Sequence, residues 1–169
     1  MDTPIRLAGV IRESVVDGPG WRFVVFVQGC THNCPGCQNP QTHDLNGGYM
    51  STVENLYAEI KKDPLLRGVT FSGGDPFVCA KEMAVLGDMV HGLGLDIVTY
   101  TGYTYEEILK GATEKNGWMR LLEVTDYLID GRFEIEKLSL ELKFRGSSNQ
   151  RIIDVKKSLE SGHAVEIEF

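Results

Sequence analysis

The sequence predicts a single-domain α/β fold built on a sheet of mostly parallel strands. Three observations predict it. Short β-branched and aromatic runs alternate with stretches of helical periodicity. The chemically suggestive loops each follow one of those runs. The chain has 169 residues, the size of one domain.

Ile5–Val10 is a first apolar segment, and the turn Asp17-Gly18-Pro19-Gly20 follows it. Arg22–Val27 reads as a buried strand that stops at Gln28-Gly29. Ser51, with Glu54 three residues later, resembles a capping box opening a helix that runs to about Lys61. Gly68–Ser72 is a second strand, ended by Gly73-Gly74-Asp75-Pro76. Met83, Leu86, Met89, Val90 and Leu93 recur at spacings of three and four, which predicts a helix over Lys81–Leu93 with Gly94 as its stop. Asp96–Tyr100 is a third strand, Tyr105–Leu109 begins a helix, and Asp126–Asp130 is a fourth strand. Arg151–Asp154 is a further short strand, and the alternation over Ala164–Phe169 suits an edge strand or a tail.

Strand, loop and helix in repetition imply parallel pairing through right-handed crossovers. Ligands of such sheets bind at the C-terminal ends of the strands. The loops Gly29–Cys37, Gly73–Pro76, Thr101–Tyr103 and Gly131–Glu134 all follow strands, so they are expected to meet on one face.

The chain carries 17 Lys and Arg against 24 Asp and Glu, a formal net charge of -7. An acidic surface repels a polyanion, so nucleic acid is not an expected partner. Met1-Asp2-Thr3-Pro4 lacks the pattern of a signal peptide, and no uncharged apolar run reaches the ~18 residues of a membrane span. A cytoplasmic protein is expected, where clustered thiols serve as metal or redox ligands.

Three of the four cysteines, Cys30, Cys34 and Cys37, fall within eight positions in the pattern C-x3-C-x2-C. Thiolates at this density bind soft metals or iron–sulfur clusters. A cubane cluster held by three thiolates leaves one iron open for another ligand. A structural zinc site with His32 or His43 as fourth ligand fits the same spacing, and so both readings stand at this point.

C-x3-C-x2-C after a strand resembles the signature of the radical S-adenosylmethionine enzymes. The resemblance implies one 4Fe-4S cluster on Cys30, Cys34 and Cys37, with S-adenosylmethionine chelating the fourth iron. It also implies a partial (β/α) barrel and a single domain over 1–169, with the cluster loop at 29–38. Many members carry an aromatic residue before the third cysteine, and Gly36 stands there in this chain. Phe71-Ser72-Gly73-Gly74-Asp75-Pro76 resembles the family's glycine-rich loop, which contacts the methionine amino group. The cofactor contacts so implied are Gly36, Cys37, Gln38, Ser72, Gly73, Gly74, Asp75 and Thr101.

Ser14–Arg22 before Gln28-Gly29-Cys30 is similar to the N-terminal signature of glycyl-radical-enzyme activases. Tyr100–Glu107, Asp130–Phe133 and Arg145–Asp154 resemble the branch that activates anaerobic ribonucleotide reductase. That branch implies a large partner, the anaerobic ribonucleoside-triphosphate reductase, whose glycine loses a hydrogen atom to a 5′-deoxyadenosyl radical. It also implies a one-electron donor such as flavodoxin or ferredoxin. No general acid or base is required, so no catalytic side chain is expected beyond the cluster and cofactor. Alternatives are an activase of the pyruvate formate-lyase type, a zinc-stabilised interaction module, and an electron carrier.

Cys79 lies outside the cluster spacing and reads as a small buried residue. Thr101, Tyr103 and Arg145 are candidates to touch cofactor or partner, Arg145 foremost because a guanidinium pairs with carboxylates. His91 and His163 read as surface residues.

Overall fold

The computed structural model describes residues 3–30, 44–139 and 144–168. Cys34, Gly36, Cys37, Gln38, His32 and His43 therefore lie outside the described residues. Among those described, one sheet carries seven strands: β1 (Pro4–Ser14), β2 (Arg22–Val27), β3 (Tyr49–Thr52), β4 (Gly68–Gly73), β5 (Asp96–Tyr100), β6 (Tyr127–Asp130) and β7 (Arg151–Asp154). Their order across the sheet is β3-β1-β2-β4-β5-β6-β7.

The pairings β2–β4, β4–β5 and β5–β6 are parallel, and β1–β3, β1–β2 and β6–β7 are antiparallel. The expectation of a mostly parallel sheet is corrected to a mixed one. The reason lies in the connections. A parallel neighbour needs a long crossover, whereas β1 joins β2 through the turn at 15–21, and the described residues between β6 and β7 hold no crossover α-helix. The parallel strands form the centre, and antiparallel strands flank them.

Helices α1 (Val53–Lys61), α2 (Ala80–His91), α3 (Tyr105–Gly111), α4 (Trp118–Val124) and α5 (Val155–Ser161) accompany the strands. The capping box expected at Ser51 does not form. Thr52 is the N-cap and accepts from the Asn55 N–H, while Glu54 reaches back to the Thr3 N–H and hydroxyl. Ser51 instead pairs with Ile5 in the β1–β3 ladder. A complete capping box stands at Thr104 and Glu107, opening α3. The segment after Ala164 adds to the β7 edge, through Asp154 N–H to Val165 C=O and Ile167 N–H to Ile152 C=O.

Side chains alternate across a strand, so each strand feeds two faces. Phe23, Val25, Val27, Val69, Phe71, Ile97, Leu128 and Ile153 pack with the helices in the main core. Val98, Ile129 and Ile152 point the other way and pack with Tyr100, Tyr127, Phe144 and Ile167. At the N-terminal ends of the central strands this second face is polar. Arg22 is fully buried there. Its guanidinium donates to the Thr70 hydroxyl at 2.8 Å and to the Pro19 and Val69 carbonyls, and pairs with Asp96. A buried charge needs such compensation to be tolerated. The turn at Asp17 is fastened to the same node, since Thr70 donates to the Asp17 carbonyl.

Candidate functional site

Among the described residues, the start of the cysteine segment at Gly29–Cys30 and the loops after β4, β5 and β6 come together, as expected, while the rest of Gly29–Cys37 lies outside the described residues. β2 and β4 lie in parallel register, with Val27 opposite Gly73, so both chains leave the sheet at the same level. Two hydrogen bonds then continue the ladder beyond the strands, Gly74 N–H to Val27 C=O and Asp75 N–H to Gly29 C=O, each 2.8 Å. The approach is too close for side chains. A Cβ on Gly74 would stand 2.1 Å from the Gly29 oxygen, and one on Gly73 2.4 Å from the Val27 nitrogen. Gly29 and Gly73 also have φ of 115° and 103°, a region that favours glycine. The glycines thus press the start of the cysteine segment against the glycine-rich loop, and half-buried Cys30 is the next residue.

Gln28 closes the base of the cysteine segment. Its side-chain amide donates to the Asp44 carbonyl at 2.7 Å, and its backbone N–H donates to the Arg6 carbonyl. Residues 28 and 44, which flank the cysteine segment, are thereby fastened together. Sequence reading passed over Gln28, because a glutamine beside a glycine carries no signal of a long-range partner.

Asp75 and Thr101 do meet, and they meet each other. Asp75 is buried and accepts from the Thr101 hydroxyl, the Gly102 N–H and the Phe77 N–H. This carboxylate caps the short 3-10 turn Pro76–Cys79 and locks the loop after β4 to the loop after β5. The Gly74 and Asp75 N–H groups are engaged with the end of β2 and with Gly29 just beyond it. Ser72, half-exposed, extends from the same strand.

The loop after β6 is held by the segment Arg145–Arg151. The Gln150 amide donates to the Gly131 carbonyl and Asn149 to the Arg132 carbonyl, while Gly146 and Ser147 donate to the Gln150 side chain. Arg151 bridges buried Asp130 and exposed Glu106. Asp130 raises the Arg151 pKa first, against the cost of burial. Asp130 also accepts from the Tyr105 N–H at 2.7 Å, so the start of α3 is fixed to the end of β6. Tyr103 packs on Trp118, with ring centroids 4.6 Å apart.

Cys79 is free, half-buried and packed against the main core, as its position suggested. Burial pushes its thiol up to about 12, with Glu82 and Asp75 adding to the effect. Tyr100 is also shifted upward, by burial and then by Asp17, with Arg22 opposing. His91 and His163 are exposed, and His91 contacts Asp126 at 3.0 Å.

A glycine-lined cradle beside a half-buried thiol fits an iron–sulfur cluster. Of the three cysteines only Cys30 falls among the described residues, and among those residues no trio of His, Cys, Asp and Glu gathers as a separate metal site. A family profile described as a 4Fe-4S single cluster domain matches residues 16–153. An anaerobic ribonucleoside-triphosphate reductase-activating protein from Vibrio cholerae is 38% identical over 147 residues, covering 82% of this chain and 90% of that protein. The protein of that name from phage T4 is 34% identical over 145 residues, 81% of this chain and 86% of its own length. The one from Escherichia coli K12 is 32% identical, covering 80% and 90%.

The chain belongs to the anaerobic ribonucleoside-triphosphate reductase-activating protein family.

This family member also aligns with the crystal structure of QueE from Escherichia coli, with a TM-score of 0.45, 21% identity and coverage of 62% of this chain and 54% of that one. The matched profile includes the cysteine segment, the Gly73–Pro76 loop and Arg145–Arg151. Among the described residues, no helix is long and apolar enough to cross a membrane.

Proposed function

We propose that the chain activates anaerobic ribonucleoside-triphosphate reductase by forming a glycyl radical on it. The observation that carries this reading is the contact between Gly29 and Gly74-Asp75, which sets Cys30 against a glycine-rich loop in a chain of the activating family. Cys30, Cys34 and Cys37 would hold one 4Fe-4S cluster. When bound, the cluster supplies one electron to the sulfonium of S-adenosylmethionine, whose carbon–sulfur bond breaks to methionine and a 5′-deoxyadenosyl radical that takes a hydrogen atom from the partner's glycine.

The remaining work belongs to the chain's own residues. Gly73 and Gly74 keep the β4 loop free of side chains, so a ligand can approach its backbone. Asp75 and Thr101 fix the relative position of two ligand-facing loops, and Ser72 offers a hydroxyl beside them. Gly36 and Gln38 contribute contacts from the cysteine loop, with a backbone hydrogen bond at Gly36 in place of aromatic stacking. Such a site acts by positioning and by excluding water and oxygen, and needs no proton-transfer group. The sheet forms part of a barrel in one domain over 1–169, with the cluster loop at 29–38. The chain works in the cytoplasm, with flavodoxin or ferredoxin as electron donor.

The test is anaerobic incubation with reductant, S-adenosylmethionine and the reductase. Purified protein should be brown, with broad absorption near ~400 nm that zinc, with its filled shell, does not give. The mixture should produce 5′-deoxyadenosine and a glycyl radical visible by electron paramagnetic resonance. Cluster-loaded protein that makes no 5′-deoxyadenosine would sink the reading.

A further inference from the structure

Arg145 is a largely buried charge that is only partly compensated. Its side chain is 12% exposed, and its buried Nε has no hydrogen-bond partner among the described residues. Among the described residues its two terminal nitrogens make long contacts, 3.4 Å to the Gln150 carbonyl and 3.5 Å to the Glu168 carboxylate. A guanidinium carries five donors in a fork that matches a carboxylate, and burying it without full compensation is costly. The backbone is bent to hold it there. Phe144 has φ of 63°, the left-handed region that a bulky residue rarely adopts, and its ring packs against Val98, Ile129 and Ile152. Gly146 and Ser147 on the other side are fixed by Gln150.

The carboxylate that faces Arg145 is loosely held. Glu168 is 79% exposed and lies on the tail that pairs with the β7 edge. Ile167, like Phe144, packs against the cluster of Val98, Ile129 and Ile152, and its N–H donates to the Ile152 carbonyl at 2.8 Å. The edge therefore accepts an extended segment with an apolar residue followed by a carboxylate, the geometry of strand addition. Four strand spacings of ~4.8 Å set β7 roughly 19 Å along the sheet from β2 and Cys30. A group fixed at the cysteines is too far away to be what Arg145 receives, and a polypeptide arriving over the strand ends is not.

We propose that Arg145 is a carboxylate-receiving site at the β7 edge, filled in the free chain by Glu168 and taken over by an extended acidic segment of the partner reductase. The proposal rests on the reading above that the reductase is the partner. Glu168 is then a competitor built into the chain, and docking exchanges one carboxylate for another.

Two measurements on the 169-residue chain test it. The first is hydrogen exchange of the Ile167 amide without partner. It should quicken several-fold in both R145Q and E168Q, because a lost carboxylate–guanidinium contact frees the tail. The second is anaerobic binding of the reductase by cluster-loaded protein. R145Q should weaken it by about tenfold or more, R145K should recover part of that, and E168Q should tighten it by removing the competitor. Cleavage of S-adenosylmethionine by reductant without the reductase should be unchanged in E168Q. This separates the docking site from the activity, since loss of the proposed function would appear as no cleavage in the unaltered chain. Unchanged exchange at Ile167, or an R145Q or E168Q chain that binds the reductase as the unaltered one does, would overturn the proposal.

Discussion

The Thr101 hydroxyl lies 2.9 Å from each oxygen of the Asp75 carboxylate, and this pair joins the loops after β4 and β5. Both residues are nearly fully buried, so the bond is shielded from water. Hydrogen bonds to charged groups in such settings contribute more than neutral ones.

Thr101→Val removes the hydroxyl and leaves a buried carboxylate with fewer donors. The expected loss is ~1–3 kcal/mol, measured from the denaturant midpoint of anaerobic protein. Asp75→Ala should cost at least as much, because the Phe77 and Gly102 amides lose their acceptor as well. A change in Thr101→Val of under about 0.5 kcal/mol, the range of ordinary surface substitutions, would remove the clasp from the account.

Gly74→Ala places a methyl group where the Gly29 carbonyl already stands. The backbone must part, and with it the two hydrogen bonds that seat the cysteine segment. Iron content after anaerobic reconstitution should fall by at least half, on the order of the 1–3 kcal/mol that overpacking costs. Gly9→Ala is the control, since a Cβ there meets nothing within 4 Å. Equal iron in Gly74→Ala and Gly9→Ala would contradict the argument.

The two described thiols should behave in opposite ways. Cys30→Ala should abolish the ~400 nm absorption of reconstituted protein, and Cys79→Ala should retain it. In iron-free protein at pH 8, alkylation should favour Cys30. A thiol pushed up to about 12 stays protonated and inert at that pH, so Cys79 reacts slowly. Mass spectrometry of the alkylated protein gives the ratio.

Acid should weaken the α3 terminus. Arg151 lowers the pKa of Glu106, and the Thr104 N–H lowers that of Glu107, both below the usual 4.5. A depressed folded pKa means the stabilisation is complete above 4.5 and is lost as pH falls through the folded value. Both carboxylates are substantially exposed, so each contributes only about 0.2–1 kcal/mol. E106Q should therefore flatten stability against pH below 4.5 and change little near neutrality. An unaltered acid limb in E106Q would show that the pair contributes nothing.

Much of the fold was legible because it is local. The runs Arg22–Val27, Gly68–Ser72 and Asp96–Tyr100 appear as strands where their β-branched residues stand, and the Met and Leu spacing of α2 marks its buried face. The direction of the outer strands was not legible, since it depends on connection length and on which edge the chain returns to. Ser51 was misread as a cap because Thr52 beside it has the same chemistry, and pairing with β1 settles which of them leaves the ladder.

The sequence by itself determined the residue set a site can draw on: three cysteines within eight positions, a glycine-rich run, and a strand before each. Composition and local propensity suffice for that. Tertiary structure decided what the polar residues do. Asp75 and Thr101 were separate candidates and became one clasp. Gln28 and Arg22 acquired partners far along the chain, and Arg145–Arg151 became the brace of the β6 loop. Those roles depend on hydrogen-bond geometry between residues up to 74 positions apart, which no local pattern encodes.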